Sequence, residues 1–425
     1  MAAETSGRWR IAIVITAAIA ISYFDRQTLS IALPSIARDI RISNQQFSEL
    51  QAAFLFAYAL MYAGGGRLLD LLGTRRGFAL MMAWWSLACA AQGLATNVST
   101  LLTGRFLLGA GEGGGFPAAT KAVAEKFAPE ERATAMGLIN AGTAVGAIAA
   151  PPLIALVFLR AGWRGAFAIS GALGLLWTAW WLREYRAGAS PASSAASAAE
   201  ATAPEEPSAP PSAPPSTPWI RLLGIKQVQG LVAAKFMSDA AWYFYLFWLP
   251  KYLYDVRGFN TARVGYWAWI PYAASGIGSL GGGMLSSALL KRGHTLNLAR
   301  KVALGVSAAL MPIILLVSRA PVGAAILIFS IAFCGQQSWS GLIMTIPADS
   351  FPRDVVGSVA GLIGFGGAIG GVIFNLVVGR LLGAGFGYPF IFAIVSTFHV
   401  VAFGIVLLTN HRIRPLDLAN LSHAS

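Results

Sequence analysis

The chain has 425 residues, of which 56% are hydrophobic and 12% are charged, and its formal net charge is +13. A composition this apolar, with a mean hydropathy of +0.63, excludes an ordinary soluble domain and predicts a multi-pass membrane protein. The positive charge then follows from Lys and Arg in cytoplasmic loops rather than from a nucleic-acid surface, so no nucleic-acid partner is expected.

Uncharged runs of about 20 residues, the length that spans a bilayer, predict an all-α fold with both termini in the cytoplasm. The expected twelve helices lie approximately at 9–33, 47–69, 77–97, 100–122, 132–156, 164–184, 228–250, 263–290, 299–318, 321–346, 355–379 and 386–409. The first apolar run lacks the small-residue cleavage site of a signal peptide, so we expect it to be retained as a helix. Cys89 and Cys334 both fall in apolar spans, so neither a disulfide, a metal site nor a cofactor is indicated.

The first helix carries Tyr23, Asp25 and Arg26 about halfway along. Asp25 and Arg26 lie about 100° apart around a helix, so each side chain can face a different neighbour. Ionisable groups in hydrocarbon are costly, which favours a functional role. The alternative is a charge pair near the interface, with side chains that extend toward water.

The second helix places Tyr58 and Tyr62 on one face and ends in the segment GRLLDLLGTRRG at 66–77. The glycines permit a tight turn with close helix approach. Asp70 can meet a helix N-terminus or an arginine when the cytoplasmic side is shut. We therefore predict a gating role for four residues of this loop: Gly66, Asp70, Arg75 and Arg76.

The fourth helix contains Arg105 and Glu112, which are seven residues apart and so share one face two turns apart. Gly109 and Gly113 form a small-xxx-small pair that lets a neighbouring helix approach closely. We expect both charges to point inward and to be functional, although a purely structural ion pair is the alternative.

Polar and aromatic side chains also mark the later helices. Unsatisfied amides in hydrocarbon are costly, so these residues predict a polar central cavity. They are Asn140, Trp242, Tyr245, Gln336, Ser338, Trp339 and Asn375. Packing roles stay open for Asn140, Trp242 and Tyr245. Lys235 with Asp239 is expected to be a structural pair, Trp248 and Tyr252 to form an outer aromatic belt, and His399 to be a packed neutral histidine.

Residues 187–218 consist mainly of Ala, Pro and Ser, a composition that cannot bury a core. We therefore predict a six-helix bundle at 1–186, a disordered linker at 187–226, a second bundle at 227–412 and a tail at 413–425. A gapless shift of 224 positions aligns Gly111-Glu112 with Gly335-Gln336. Duplication of this kind is typical of transporters that alternate access around a midplane site. Because Gln336 replaces the acid, proton chemistry is expected in the first half.

Four segments resemble the anion:cation symporter branch of the major facilitator superfamily, and most of all its bacterial hexuronate transporters. They are YFDR (23–26), FLFAYA (54–59), GAGEGGGFPAATKAVAE (109–125) and WYFYLFWLPKY (242–252), and the loop at 66–77 matches the superfamily pattern. The resemblance implies a twelve-helix importer of a sugar-acid anion with protons in the bacterial inner membrane. We expect a monomer in the lipid bilayer, without enzymatic activity.

The resemblance also implies roles for individual residues. Asp25 and Glu112 would carry protons, while Arg26 and Arg105 would interact with these acids or with substrate. The positions that match sugar contacts are Tyr58, Asn140, Ser338, Trp339 and Asn375. Asn140 departs from the glutamine of galactonate carriers. Transport of another organic anion (galactonate, glucarate or an aromatic acid), proton-coupled drug export and sugar-acid sensing without transport are the alternatives.

Overall fold

The structure is a computed structural model that describes residues 2–127, 129–185, 219–351 and 353–414. The part of the predicted linker at 187–218 and most of the predicted tail lie outside these ranges. Five helices form the first half: α1 (Ala2–Asp39), α2 (Asn44–Gln92), α3 (Val98–Glu112), α4 (Gly115–Lys126) and α5 (Pro129–Glu184).

The second half is also helical throughout. Its elements are α6 (Trp219–Leu223), α7 (Lys226–Asp255), α8 (Thr261–Trp267), α9 (Trp269–Lys291), α10 (Leu296–Ala309), a 3-10 segment (Met311–Arg319), α11 (Val322–Ile343), α12 (Ile346–Ser350), α13 (Arg353–Gly383) and α14 (Tyr388–Thr409). The predicted all-helical fold is confirmed.

Seven stretches of the described chain are long and apolar enough to cross a membrane, judged by length and composition. They are Gly7–Asp39, Ala135–Glu184, Thr261–Lys291, Leu296–Arg319, Val322–Ser350, Ser358–Gly383 and Tyr388–Thr409. The predicted count of twelve spans and the cytoplasmic position of both termini stay predictions.

Two of the longest helices are each two helices joined at a glycine. Gly73 in α2 has φ 73°, and Gly162 in α5 has φ 67°. Residues that carry a side chain rarely adopt a positive φ, so the backbone at both positions requires glycine. The turn at Gly73 lies in the 66–77 loop and confirms the turn predicted there. The break at Gly162 falls in the gap between the predicted helices 132–156 and 164–184.

The first and second halves meet along several pairs of helices. α2 packs against α13, α5 packs against α8 and α9, and α1 packs against α7. At the first of these contacts a Cβ on Gly371 of α13 would lie 3.0 Å from Leu55 Cδ1 of α2. The contacts of α1 with α7 and of α2 with α13 place the first two helices of the chain beside the second half.

Close packing of α3 on α2 positions the two charges of α3. A Cβ on Gly109 would lie 2.1 Å from the Phe54 carbonyl oxygen, and one on Gly113 would lie 2.4 Å from the Tyr58 carbonyl oxygen. Only glycine fits at such distances, which confirms the predicted small-xxx-small contact.

We expect Gly109→Ala to destabilise the fold by about 1–3 kcal/mol, because α3 must move away from α2 to admit the methyl group. The apparent melting temperature of the purified protein in detergent would measure this. Gly281→Ala is the matched control, since a Cβ on this helical glycine meets no atom within 4 Å. Equal melting temperatures for both variants would contradict the packing argument.

Candidate functional site

A buried ion pair joins α1 to α3. The Arg26 Nε donates to Glu112 Oε2 over 2.7 Å, and the side chains are 3% and 0% exposed. Glu112 is the last residue of α3, where the chain breaks before α4 begins at Gly115. Its second oxygen, Oε1, has no hydrogen-bond partner among the described residues. One carboxylate oxygen therefore holds the guanidinium, while the other is left unpaired at a helix break.

Aromatic rings surround the Arg26 guanidinium. Its central carbon lies 4.7 Å from the ring centres of both Tyr23 and Tyr58 and 5.5 Å from that of Phe54. Cation–π contacts of this kind stabilise a desolvated cation. The structure thus brings Tyr23, Arg26, Tyr58 and Glu112 together, as the sequence predicted for an inward-facing cluster.

The second arginine, Arg105, has a different kind of partner. Its Nη2 donates to Gln51 Oε1 over 2.7 Å, and the Gln51 amide donates to Ser30 Oγ over 3.1 Å. Arg105 is fully buried and lies 4.4 Å from the centre of the Phe54 ring. Arg105 therefore makes no ion pair with an acid in the described structure, and its predicted interaction with an acid or with substrate stays a prediction. Gln51 precedes Tyr58 by seven residues on one face of α2, a spacing that could have identified it.

The other acid, Asp25, points into the first half. Its Oδ1 accepts a hydrogen bond from Ser170 of α5, and the Cys89 thiol lies within hydrogen-bonding range. Asp25 is fully buried, and its Oδ2 has no partner in the described part of the chain. Asp25 and Arg26 thus face different neighbours, as predicted. Sequence reasoning missed Ser170 and assigned no role to Cys89.

Asn375 holds a tryptophan that lies at the contact between the two halves. Its Oδ1 accepts from Trp248 Nε1 over 2.7 Å, and its amide donates to the Gly371 carbonyl over 2.8 Å. The Trp248 ring packs edge-on against Phe47 of α2, with centroids 4.9 Å apart. Trp248 and Tyr252 are 0% and 1% exposed, so the predicted outer aromatic belt is wrong for both. Their polar groups are bonded inside the protein instead.

Several predicted cavity residues lie within the second half. Trp242 and Tyr245 pack on Phe333 of α11, with ring centroids 5.9 and 5.3 Å away. The Ser338 hydroxyl lies 2.6 Å from that of Ser307 and faces α9 and α10. This orientation does not bring Ser338 to the Arg26 cluster, because its side of α11 is covered by neighbouring helices.

Gln336 and Trp339 of α11 are fully buried. The amide of Gln336 and the indole N–H of Trp339 find no partner among the residues that the structure describes. The Trp339 ring packs edge-on against His399, with centroids 5.5 Å apart. His399 is also fully buried, in agreement with a packed histidine.

Asn140 lies on an exposed face of α5. One turn later, Ala144 contacts α9, with its Cβ 3.6 Å from a Cβ built on Gly276. The face that carries Asn140 is therefore directed toward the second half, but no contact joins Asn140 to the Arg26 cluster in the described structure.

The predicted gating loop is tied to the ends of two helices. Arg75 Nη2 donates to the Leu182 carbonyl over 2.6 Å, and the Arg75 carbonyl accepts from Trp181 Nε1 over 2.9 Å. Arg76 is exposed. The exposure of Gly66 and the side chain of Asp70 lie outside the described part of the structure, so the gating roles of both residues stay predictions.

A second set of hydrogen bonds around the 66–77 loop, all to the carboxylate of Glu125, was not predicted from the sequence. Thr74 donates to Glu125 Oε1 over 2.6 Å, and the Tyr185 hydroxyl donates to the same carboxylate. Burial, and then the hydrogen bond to Glu125, raise the pKa of Tyr185, which keeps this phenol protonated as a donor. The loop after Gly73 is therefore held against α4 and the end of α5.

Within the described ranges, no group of three or more His, Cys, Asp and Glu side chains is placed to hold a metal ion. The arrangement at the centre is instead a cation, two acids and aromatic rings. Such a site can exchange one anionic partner of a guanidinium for another, and it can hold protons on carboxylates removed from water.

Comparison with known proteins identifies the family of the chain. The Major Facilitator Superfamily profile matches residues 15–375. The chain is 30% identical over 422 residues to the hexuronate transporter of Escherichia coli (strain K12), covering 98% of this chain and 97% of the relative. It is also 30% identical over 308 residues to the galacturonate transporter of Dickeya chrysanthemi, covering 72% and 89%.

A solved structure shows the same fold at low sequence identity. The crystal structure of the D-xylose-proton symporter superposes with a TM-score of 0.71 and 14% identity, covering 96% of this chain and 99% of that one. Together with the profile match and the apolar helices, this likeness supports a multi-pass membrane protein. The chain therefore belongs to the Major Facilitator Superfamily and is a transporter rather than an enzyme.

Proposed function

We propose that the protein is a proton-coupled symporter that imports a sugar-acid anion, a hexuronate such as glucuronate or galacturonate, by alternating access. The observation that carries this proposal is the buried Arg26–Glu112 pair between the rings of Tyr23 and Tyr58. A sugar acid presents one carboxylate and several hydroxyls, so its site needs a cation and polar aromatic neighbours. The similarity to a hexuronate transporter and a galacturonate transporter supports the same substrate class.

Coupling follows from competition for Arg26. While Glu112 is ionised, it occupies the guanidinium; protonation of Glu112 releases Arg26 to bind the substrate carboxylate. Asp25 is a second buried acid that can carry a proton. Import of two protons with one monoanion would carry one net positive charge inward, which the membrane potential favours by about 2.3 kcal/mol per 100 mV.

The proposal also covers the membrane location, the oligomeric state and the topology of the protein. We place the protein in the bacterial inner membrane as a monomer, with twelve spans in bundles at 1–186 and 227–412 and both termini in the cytoplasm. The loop at 66–77 would close the cytoplasmic side through Asp70, with Arg75 and Arg76. Its contacts with the ends of α4 and α5 support this role, since a gate must make and break bonds between helix ends.

Neutral groups would recognise the sugar hydroxyls. The polar groups of Gln336 and Trp339 have no partner in the described structure, and Asn140 lies on an exposed helix face. All three side chains can therefore bind sugar hydroxyls after a rearrangement of the helices. Asn375 would act through Trp248, to which it is bonded. Other organic anions, including galactonate, stay candidate substrates because Arg26 recognises a carboxylate and not a particular sugar.

Uptake by purified protein in liposomes tests the proposal. With an acidic exterior, we expect glucuronate or galacturonate to accumulate inside, and a protonophore to abolish the accumulation. Binding without accumulation would instead indicate a sensor. Proton-driven movement of a lipophilic cation, with no sugar-acid uptake, would indicate a drug exporter.

A further inference from the structure

A second buried ion pair lies in the middle of α7. Lys235 Nζ is 2.7 Å from Asp239 Oδ1 and donates to Ser340 Oγ of α11 over 2.9 Å. The two residues are only 7% and 8% exposed. A Cβ on Gly367 of α13 would lie 2.2 Å from Asp239 Oδ2, so a glycine makes room for the carboxylate. The pair is thus enclosed by three helices of the second half.

This second pair lies next to the Arg26 cluster. The Tyr23 hydroxyl is within electrostatic reach of both Glu112 and Asp239. Tyr243, one turn after Asp239 on α7, is within reach of Arg26, Asp239 and Tyr23. Tyr243 lies where Gly371 of α13 meets Leu55 of α2, and Tyr58, one turn after Leu55, has its ring centre 4.7 Å from the Arg26 guanidinium carbon. The two ion pairs therefore lie on either side of the contact between the halves.

A structural role alone gives a weak account of Lys235 and Asp239. In the described structure, Lys235 links α7 to α11 only through the Ser340 hydroxyl, and apolar replacements of buried ion pairs are often neutral or stabilising. His399 also lies within electrostatic reach of Lys235, and neither of its ring nitrogens has a described partner. The second half therefore contributes a buried ammonium group with polar atoms of Asp239, Ser340 and His399 around it.

Resting on the proposed function, we propose that Lys235 is a second carboxylate anchor, which binds the far carboxylate of a six-carbon dicarboxylic sugar acid. One substrate carboxylate replaces Glu112 on Arg26, and the other replaces Asp239 on Lys235. Each displaced acid takes one proton from the external water, and each returns it to the cytoplasmic water after the substrate leaves. Two protons then move with one dianion, so this part of the cycle carries no net charge.

Two linear acids that differ at one carbon test the second anchor directly. D-Glucarate has a carboxylate where D-gluconate has a hydroxymethyl group, so the pair isolates the contribution of Lys235. For the purified full-length protein we expect glucarate to bind at least about tenfold tighter than gluconate, the effect of one charge-assisted hydrogen bond. Isothermal titration calorimetry measures both dissociation constants.

The double variant Lys235→Gln/Asp239→Asn removes both charges together and so leaves no unpaired ion. We expect it to bind glucarate and gluconate with nearly equal affinity while glucuronate binding stays within about twofold of the original, since Arg26 is unchanged. The control is Lys251→Gln/Asp255→Asn, another i,i+4 pair on α7 with a 2.7 Å separation, which should leave the preference intact.

The outcomes separate the two proposals. Glucuronate binding without a preference for glucarate over gluconate overturns the second anchor and leaves the proposed function standing. A preference that persists in the Lys235→Gln/Asp239→Asn variant also overturns it. Failure of the original protein to bind any of the three acids would count against the proposed function itself. The comparison of the original protein with glucarate and gluconate decides the matter even where the double variant does not fold.

Discussion

Glu112→Gln is expected to abolish proton-driven accumulation of the sugar acid while counterflow exchange continues. Glutamine keeps the shape of the side chain and an oxygen that can accept from Arg26 Nε, but it cannot take up a proton. Each coupled proton contributes about tenfold accumulation per pH unit across the membrane, and the variant loses this contribution. Because the amide holds Arg26 only weakly, substrate still binds and exchanges.

Reconstituted liposomes give both readouts on one preparation: uptake driven by an acidic exterior, and exchange of labelled for unlabelled substrate without a gradient. Glu49→Gln is the matched control, since this acid of α2 is half-buried and accepts from Gln45 rather than from an arginine. It should retain both activities. Equal loss of accumulation and exchange in Glu112→Gln would remove Glu112 from the coupling role.

The fold could be predicted because the hydrocarbon core of a bilayer allows few kinds of secondary structure. Backbone groups in a bilayer must bond within the chain, so long apolar runs specify helices before any packing is known. Small residues at four-residue spacing then identify close contacts, as Gly109 and Gly113 do. The break at Gly162 also falls in a predicted gap, because Arg160 and Arg164 interrupt the apolar run between the helices at 132–156 and 164–184.

The site could be predicted less completely, because spacing identifies a face but not the neighbour that meets it. The spacing of Arg105 and Glu112 predicted two inward charges, yet their partners depend on how α1 and α2 cross α3. Charge complementarity favoured an acid for Arg105, whereas the structure supplies the amide of Gln51.

The serines of α11 also show that the sequence does not identify which neighbour each helix face meets. Ser338 and Ser340 are two residues apart and so point about 200° away from each other around the helix. Ser338 meets Ser307, while Ser340 meets Lys235. The sequence could not orient α11, and it therefore selected the serine that faces away from the central charges.

Arg26→Lys is expected to weaken sugar-acid binding by about tenfold or more, although the charge is kept. A guanidinium can hold a carboxylate with two parallel hydrogen bonds and stack between the rings of Tyr23 and Tyr58, whereas an ammonium is a compact point charge. Arg105→Lys should behave differently. Arg105 is fully buried and donates to Gln51, so its replacement should lower the apparent melting temperature and change substrate affinity little.

Titration calorimetry with glucuronate, paired with melting curves for each variant, distinguishes these effects. Both variants keep one positive charge, so a difference in affinity between them reports hydrogen-bond geometry rather than net charge. Weak binding by Arg26→Lys with normal binding by Arg105→Lys would assign the substrate carboxylate to Arg26. The reverse pattern would move the anchor to Arg105 and would require the Gln51 amide to release it, because that amide is the partner that the substrate would have to replace.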